Sequence, residues 1–145
     1  MNEVESVGLL IKKIHDAIGA ITNIELKELD LTMSQSRVLY FLYQVRGHNV
    51  SIREIENHFC VKHTTALGIL NRLEIKGFIT STGSRDDKRV RNVEITTKGK
   101  KIHEAILSKF SNLEERYLKG FTSEELKSLK MALTVINSNL QELRF

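Results

Sequence analysis

The stretch Ser51 to Ile95 constrains this chain more than any other. It requires two short helices to meet across a turn with no room for a linker. Ser51-Ile52-Arg53-Glu54 has the form of a capping box, with the Ser51 hydroxyl placed for the third helical amide and Glu54 reaching back. Ile52, Ile55 and Phe59 follow at helical spacing, and a break falls at Cys60-Val61. Ala66, Ile69, Leu70 and Leu73 then recur at i, i+3, i+4 and i+7, one stripe for burial on a second helix. Gly77 stands just past that helix, where a C-cap favours glycine. Residues 78–82 and 91–95 read as strands around the polar tip Gly83 to Arg89. Two helices forced together by a tight turn and followed by a basic hairpin make a winged helix-turn-helix.

The same residues resemble the MarR family of bacterial transcription regulators. The resemblance rests on Leu73-Glu74-Ile75-Lys76-Gly77, on Asp87-Lys88-Arg89 and on Ile95-Thr96-Thr97-Lys98-Gly99. These match the family's LE-x-KG run, its wing DxR and its LT-x-x-G run, in order. Leu31 to Leu39 is similar to the family's segment entering its second helix, so the likeness covers nearly the whole chain.

Long amphipathic segments flank this centre. From about residue 4 to 29, Val7, Ile11, Ile14, Ile18 and Ile21 form one apolar stripe, widened by Leu10, Ala17 and Ile24. Ser34 is the expected cap of the next helix, which carries Val38, Leu39, Leu42 and Tyr43 and stops near Gly47. Val50 is placed to add one extended residue to the wing sheet. After the wing, Thr96 or Thr97 caps a helix with Ile102, Ile106, Phe110, Leu113 and Tyr117 on one face. Thr122 to Glu125 is a second capping box, opening a helix with Leu126, Leu129, Leu133, Ile136, Leu140 and Leu143.

The expected fold is mainly α with a small β-hairpin wing: a winged helix-turn-helix carrying long N- and C-terminal dimerisation helices. It reads as one domain over 1–145, with the DNA-binding region at about 32–96 and dimerisation helices at about 4–30 and 97–144. Stripes this wide at both ends exceed what a small winged helix can cover, and the resemblance implies a homodimer joined through them. A two-fold dimer would present two reading heads to a pseudo-palindromic site.

Charge points to the same partner. Residues 51–101 hold eleven Lys or Arg against six Asp or Glu. Residues 1–50 hold five against six, and residues 102–145 six against six. The whole basic excess lies on the winged helix, as expected of a binder of double-stranded DNA. Rotation of 100° per residue from the buried stripe puts Thr64, Gly68 and Asn71 on the opposite face, with Thr65 lateral and Arg72 on a flank. Thr and Asn can read base edges, and Arg72 suits a phosphate. Any one of these alone would be an ordinary solvated residue. Lys62 and His63 add positive charge at the helix start. At the wing, Arg85, Lys88, Arg89 and Arg91 stand against Asp86 and Asp87. The resemblance implies that Arg89 enters the minor groove and that Asp87 braces the wing. The chain departs from the family at Gly68, where relatives commonly carry Arg, and at Lys62, where they place a Ser cap.

The resemblance further implies control by a small aromatic or amphipathic effector, or by an oxidant, where the terminal helices meet the winged helix. Here that region would be Ile14, His15, Ile18, Tyr40, Tyr43, Ile102 and Ile106, with His103 nearby. Core filling is the plainer reading for each of these. Cys60, the single cysteine, reads as a small buried hydrophobe. His58, Cys60 and His63 match no standard metal-site spacing, and no cofactor is expected. No phosphate loop, HExxH or GxSxG run points to an enzyme. No run suits a membrane span, and an acidic start with one cysteine fits the cytoplasm of a prokaryote, with the nucleoid as its place when DNA-bound. The functional reading is a dimeric, sequence-specific transcriptional regulator, most often a repressor in this family. The alternative is a winged-helix module that binds protein instead of DNA.

Overall fold

A computed structural model describes residues 5–83 and 91–144. The elements run α1 (Val7–Glu28), α2 (Met33–Gln44), β1 (Val50–Ser51), α3 (Ile52–Phe59), α4 (His63–Ile75), β2 (Ile79–Gly83), β3 (Arg91–Ile95), α5 (Thr97–Tyr117) and α6 (Ser123–Glu142). They fall into two compact units, Met1–Phe110 and Ser111–Phe145, with α5 running through the boundary. No helix among the described residues is long and apolar enough to cross a membrane.

The core of the first unit is built where the sequence periodicity places it. Ala66, Leu70 and Leu73 of α4 are buried against Val38, Leu39 and Leu42 of α2 and Ile52 and Ile55 of α3. Each such side chain contributes about 1.5–3 kcal/mol on full burial. Ile69, the fourth member of the α4 stripe, is half-buried at the edge. The sheet is antiparallel in the order β1-β3-β2. Val50 pairs with Val93, and Ile79 pairs with Ile95. Val50, Ile79, Val93 and Ile95 all point into the core, which sets the register of the wing.

Local polar chemistry fixes the helix ends. Ser51 and Glu54 form the expected capping box on α3, and Thr122 and Glu125 form the one on α6. Thr96 caps α5, accepting from the Gly99 amide at 3.0 Å. For α2 the cap is Thr32, not Ser34. Thr32 Oγ1 accepts from the Gln35 amide at 3.2 Å, and Gln35 Oε1 accepts from the Thr32 amide at 3.3 Å. A Thr-x-x-Gln box satisfies two backbone donors reciprocally, which a lone Ser two residues later cannot do.

The stripe of the first helix is left uncovered by the winged helix, as its width predicts. Only Thr22 and Leu26 of α1 are buried, while Val7, Ile11, Ile14, Ile21 and Ile24 are exposed. Within the second unit no residue of α6 is buried, and Met131, Leu133, Val135 and Leu140 are exposed. Among the described residues, each of these two helices carries an exposed apolar face.

Candidate nucleic-acid interface

Helix α4 presents a polar face opposite its buried stripe. Lys62, His63, Thr64, Thr65, Asn71 and Arg72 are exposed, and Gly68 is half-buried in the middle of that face. A Cβ built on Gly68 meets nothing within 4 Å, so no internal packing demands glycine there. Lys62 is the N-cap residue and makes no side-chain cap. The first amides of α4 therefore keep their donors free of a capping oxygen.

The run that carries the resemblance serves to hold α4 rather than to extend its face. Leu73 is fully buried. Glu74 Oε1 accepts from Ser81 Oγ at 2.8 Å and from the Ser81 amide at 3.3 Å, tying the helix to β2. Lys76 Nζ donates to the Asp30 carbonyl and, at 3.1 Å, to Gln35 Oε1, tying it to the α1–α2 turn. Gly77 takes φ 79°, the left-handed conformation that ends a helix. Its amide donates to the Glu74 carbonyl and that of Phe78 to the Leu73 carbonyl, a Schellman closure. Thr96 Oγ1 donates to the Gly77 carbonyl at 2.7 Å, and Lys98 Nζ to the Lys76 carbonyl at 2.8 Å. At Gly99 an added Cβ would lie 2.1 Å from the Phe78 carbonyl oxygen, so only glycine fits.

In the wing, Arg91 is exposed at the start of β3, opposite Gly83. Arg85, Lys88 and Arg89, with Asp86 and Asp87, lie outside the described residues.

Two further features stand out, the first of which carried no signal in the sequence. One is a hydrogen bond between α3 and α4: His63 Nδ1 lies 2.8 Å from Glu56 Oε1. The other is a ring cluster on α2 and α5. His103 is buried against Tyr43, with centroids 4.5 Å apart, and against Tyr40 at 5.7 Å. The Arg46 guanidinium lies over the other part of this cluster, 4.2 Å from the Tyr43 centroid. Neither nitrogen of His103 has a hydrogen-bond partner among the described residues. Burial pushes its pKa below the ordinary histidine value; Glu104 opposes that shift and Arg46 adds to it. Of the suggested effector region, Ile106 is core, Ile18, Tyr43 and Ile102 are half-buried, and Ile14, His15 and Tyr40 are exposed.

Cys60 corrects an expectation. It is exposed, not buried, and its backbone is left-handed at φ 52° as the C-cap of α3. The tight turn needs that conformation, and its geometry turns the thiol outward, where Sγ lies 3.7 Å from the Asn57 carbonyl. His58 stacks on Phe41 with centroids 4.1 Å apart. Among the described residues no three His, Cys, Asp or Glu side chains gather so as to hold a metal ion.

Comparison with known proteins agrees with this geometry. Residues 31–90 match the model of the MarR family. An HTH-type transcriptional regulator of Bacillus subtilis, YybA, is 30% identical over 97% of this chain and 91% of its own length. The HTH-type transcriptional repressor IacR of Pseudomonas putida is 33% identical over 81% of this chain and 70% of its own. MepR of Staphylococcus aureus, a transcription regulator of a multidrug efflux pump, superposes with a TM-score of 0.82 at 25% identity, covering 93% of this chain and 98% of that one. Its complex with DNA superposes with a TM-score of 0.69 at 26% identity, covering 93% and 96%. With a winged helix whose second helix shows an uncapped polar face, and relatives that match along nearly the full length, the chain belongs to the MarR family of DNA-binding transcriptional regulators.

Proposed function

We propose that the chain acts as a homodimer that represses transcription from a pseudo-palindromic operator and is released by a small effector. The observation that carries the reading is the polar face of α4: Thr64, Thr65, Asn71 and Arg72 stand exposed on a helix whose other side is locked into the core. Thr64, Gly68 and Asn71 meet base edges in the major groove, Thr65 lies beside them, and Lys62, His63 and Arg72 meet phosphates. Arg85, Lys88, Arg89 and Arg91 belong to the wing, with Arg89 in the minor groove. Residues 32–96 form the DNA-binding region in this scheme, and 4–30 with 97–144 the dimerisation helices. The uncovered apolar faces of α1 and α6 support a second copy as partner. The IacR and MepR relatives support repression and DNA as the target.

The effector acts around Ile14, His15, Ile18, Tyr40, Tyr43, Ile102 and Ile106, where the Tyr40, Tyr43 and His103 rings supply apolar walls with polar tips. A ligand that favours a dimer with altered head spacing weakens DNA binding by the same coupling free energy. Calorimetry with small aromatic acids, with and without bound duplex, measures that coupling, and equal affinities would remove it.

Selection of duplexes from a random pool tests the groove assignment. The parent selects a defined sequence, and Asn71→Ala or Thr64→Ala changes the preferred bases by about 1–3 kcal/mol per base contact. If both variants select the parent's sequence, α4 does not read the groove through this face.

A further inference from the structure

Helix α4 carries a histidine in its first turn, and that histidine has a fixed partner. Glu56, in the last turn of α3, holds its carboxylate 2.8 Å from His63 Nδ1. The carboxylate only accepts, so Nδ1 carries the proton and donates. The side chain of Glu56 is 18% exposed and that of His63 is 63% exposed. The pair is therefore asymmetric: the acid is set back between the helices, and the ring stands exposed at the N-terminal end of α4, on its α3 side and beside Thr64 in the first turn. With Nδ1–H committed, the outer nitrogen, Nε2, has a proton to donate only in the imidazolium form. A ring held between a carboxylate and a phosphate takes that form, because both neighbours are anions.

We propose that Glu56 and His63 form a proton-coupled phosphate clamp, in which Glu56 holds the imidazolium whose Nε2–H donates to a phosphodiester oxygen of bound DNA. This rests on α4 being the groove helix. Binding takes one proton from solution onto Nε2, and release returns it. His63 is the contact and Glu56 is a positioning residue. The charges around the ring are consistent with this assignment. Lys62 lies beside it at the N-cap, α3 contributes Glu56, and α2 contributes Arg37, which lines a cavity with Ala66 and Ile69 one turn along α4. Strand β2, which also packs against α4, has no titratable residue. Simple electrostatics makes the opposite prediction for Glu56. A carboxylate facing DNA repels it, and its removal should tighten binding.

The probe is the duplex that the parent selects from a random pool, titrated between about pH 6 and pH 8, the range in which histidine exchanges its proton. The parent loses affinity with rising pH by up to about tenfold per unit more than His63→Gln does, the signature of one linked proton. His63→Gln also lowers the salt slope by about 0.9, one phosphate contact. Glu56→Ala weakens binding about threefold in the parent although it deletes a negative charge. Glu56→Gln, which keeps an acceptor for Nδ1–H, restores part of that loss. In the His63→Gln background Glu56→Ala no longer weakens binding. Thermal melts confirm that each variant is folded. The clamp is overturned if His63→Gln keeps the parent's pH slope, or if Glu56→Ala tightens binding equally in both backgrounds. Asn71→Ala separates the two levels: a changed base preference with no effect at His63 rejects the clamp alone, and no change at either residue rejects the groove reading with it.

Discussion

The two ends of α4 are held in opposite ways. At the C-terminal end, Glu74, Lys76, Gly77, Thr96, Lys98 and Gly99 join the helix to β2, to the α1–α2 turn and to the start of α5. At the N-terminal end, the cap position is Lys62 with no capping bond, and the preceding turn is a cysteine in a left-handed conformation. One end fixes where the helix points. The other leaves backbone donors uncapped and the side chains of Lys62 and His63 exposed at the helix start, at some cost in stability. A regulator of this type needs both, because a groove helix must arrive at a set angle and still have unsatisfied groups to offer.

The strongest challenge to this contrast is at the anchored end. Gly99→Ala forces a methyl against the Phe78 carbonyl, and we expect a loss of about 1–3 kcal/mol, read by thermal or denaturant melts. An unchanged melt would mean that the anchored end yields easily. At the open end Lys62→Ser should do the reverse. It supplies a cap worth about 1 kcal/mol of stability. It also removes a cation, lowering the slope of log affinity against log salt by about 0.9. A variant that is both more stable and tighter on DNA would show that the open end serves no binding purpose. The smallest effect is expected at Cys60→Gly. Relief of the left-handed backbone, about 1–2 kcal/mol, is mostly offset by the freedom glycine gains in the unfolded chain, leaving a net gain of about 0.5 kcal/mol.

The sequence was most legible where a few adjacent residues decide the outcome. The boxes at Ser51 and Thr122, the glycine stop at Gly77 and the α4 stripe all follow from local spacing. Thr32 was as legible as these, since Gln35 stands three residues on, but the nearer Ser34 drew the assignment. The exposure of Cys60 was not legible, because periodicity says nothing about a residue that leaves the helix. The Glu56–His63 pair depends on the geometry of that same turn, and seven residues of separation carry no pattern of their own. The α1 stripe was read correctly as apolar, but apolar spacing does not say which surface covers it. Across the wing tip, the assignments of Arg85, Lys88 and Arg89 lie outside the described residues.

The buried ring of His103 gives the fold a sensitivity to acid. An unfolded chain exposes this imidazole to water, where it takes a proton near its ordinary value of about 6.5. The folded chain, holding it among Tyr40 and Tyr43 without a partner for either nitrogen, takes that proton only at lower pH. Between the two values the unfolded state binds more protons, so unfolding becomes easier as pH falls through that window, and stability returns as pH rises above it. Acid titration of the melting temperature should therefore show a step that His103→Leu removes. Through this one ring, packed between α5 and the tyrosines of α2, the hold of α2 on α5 is tied to the acidity of the surroundings.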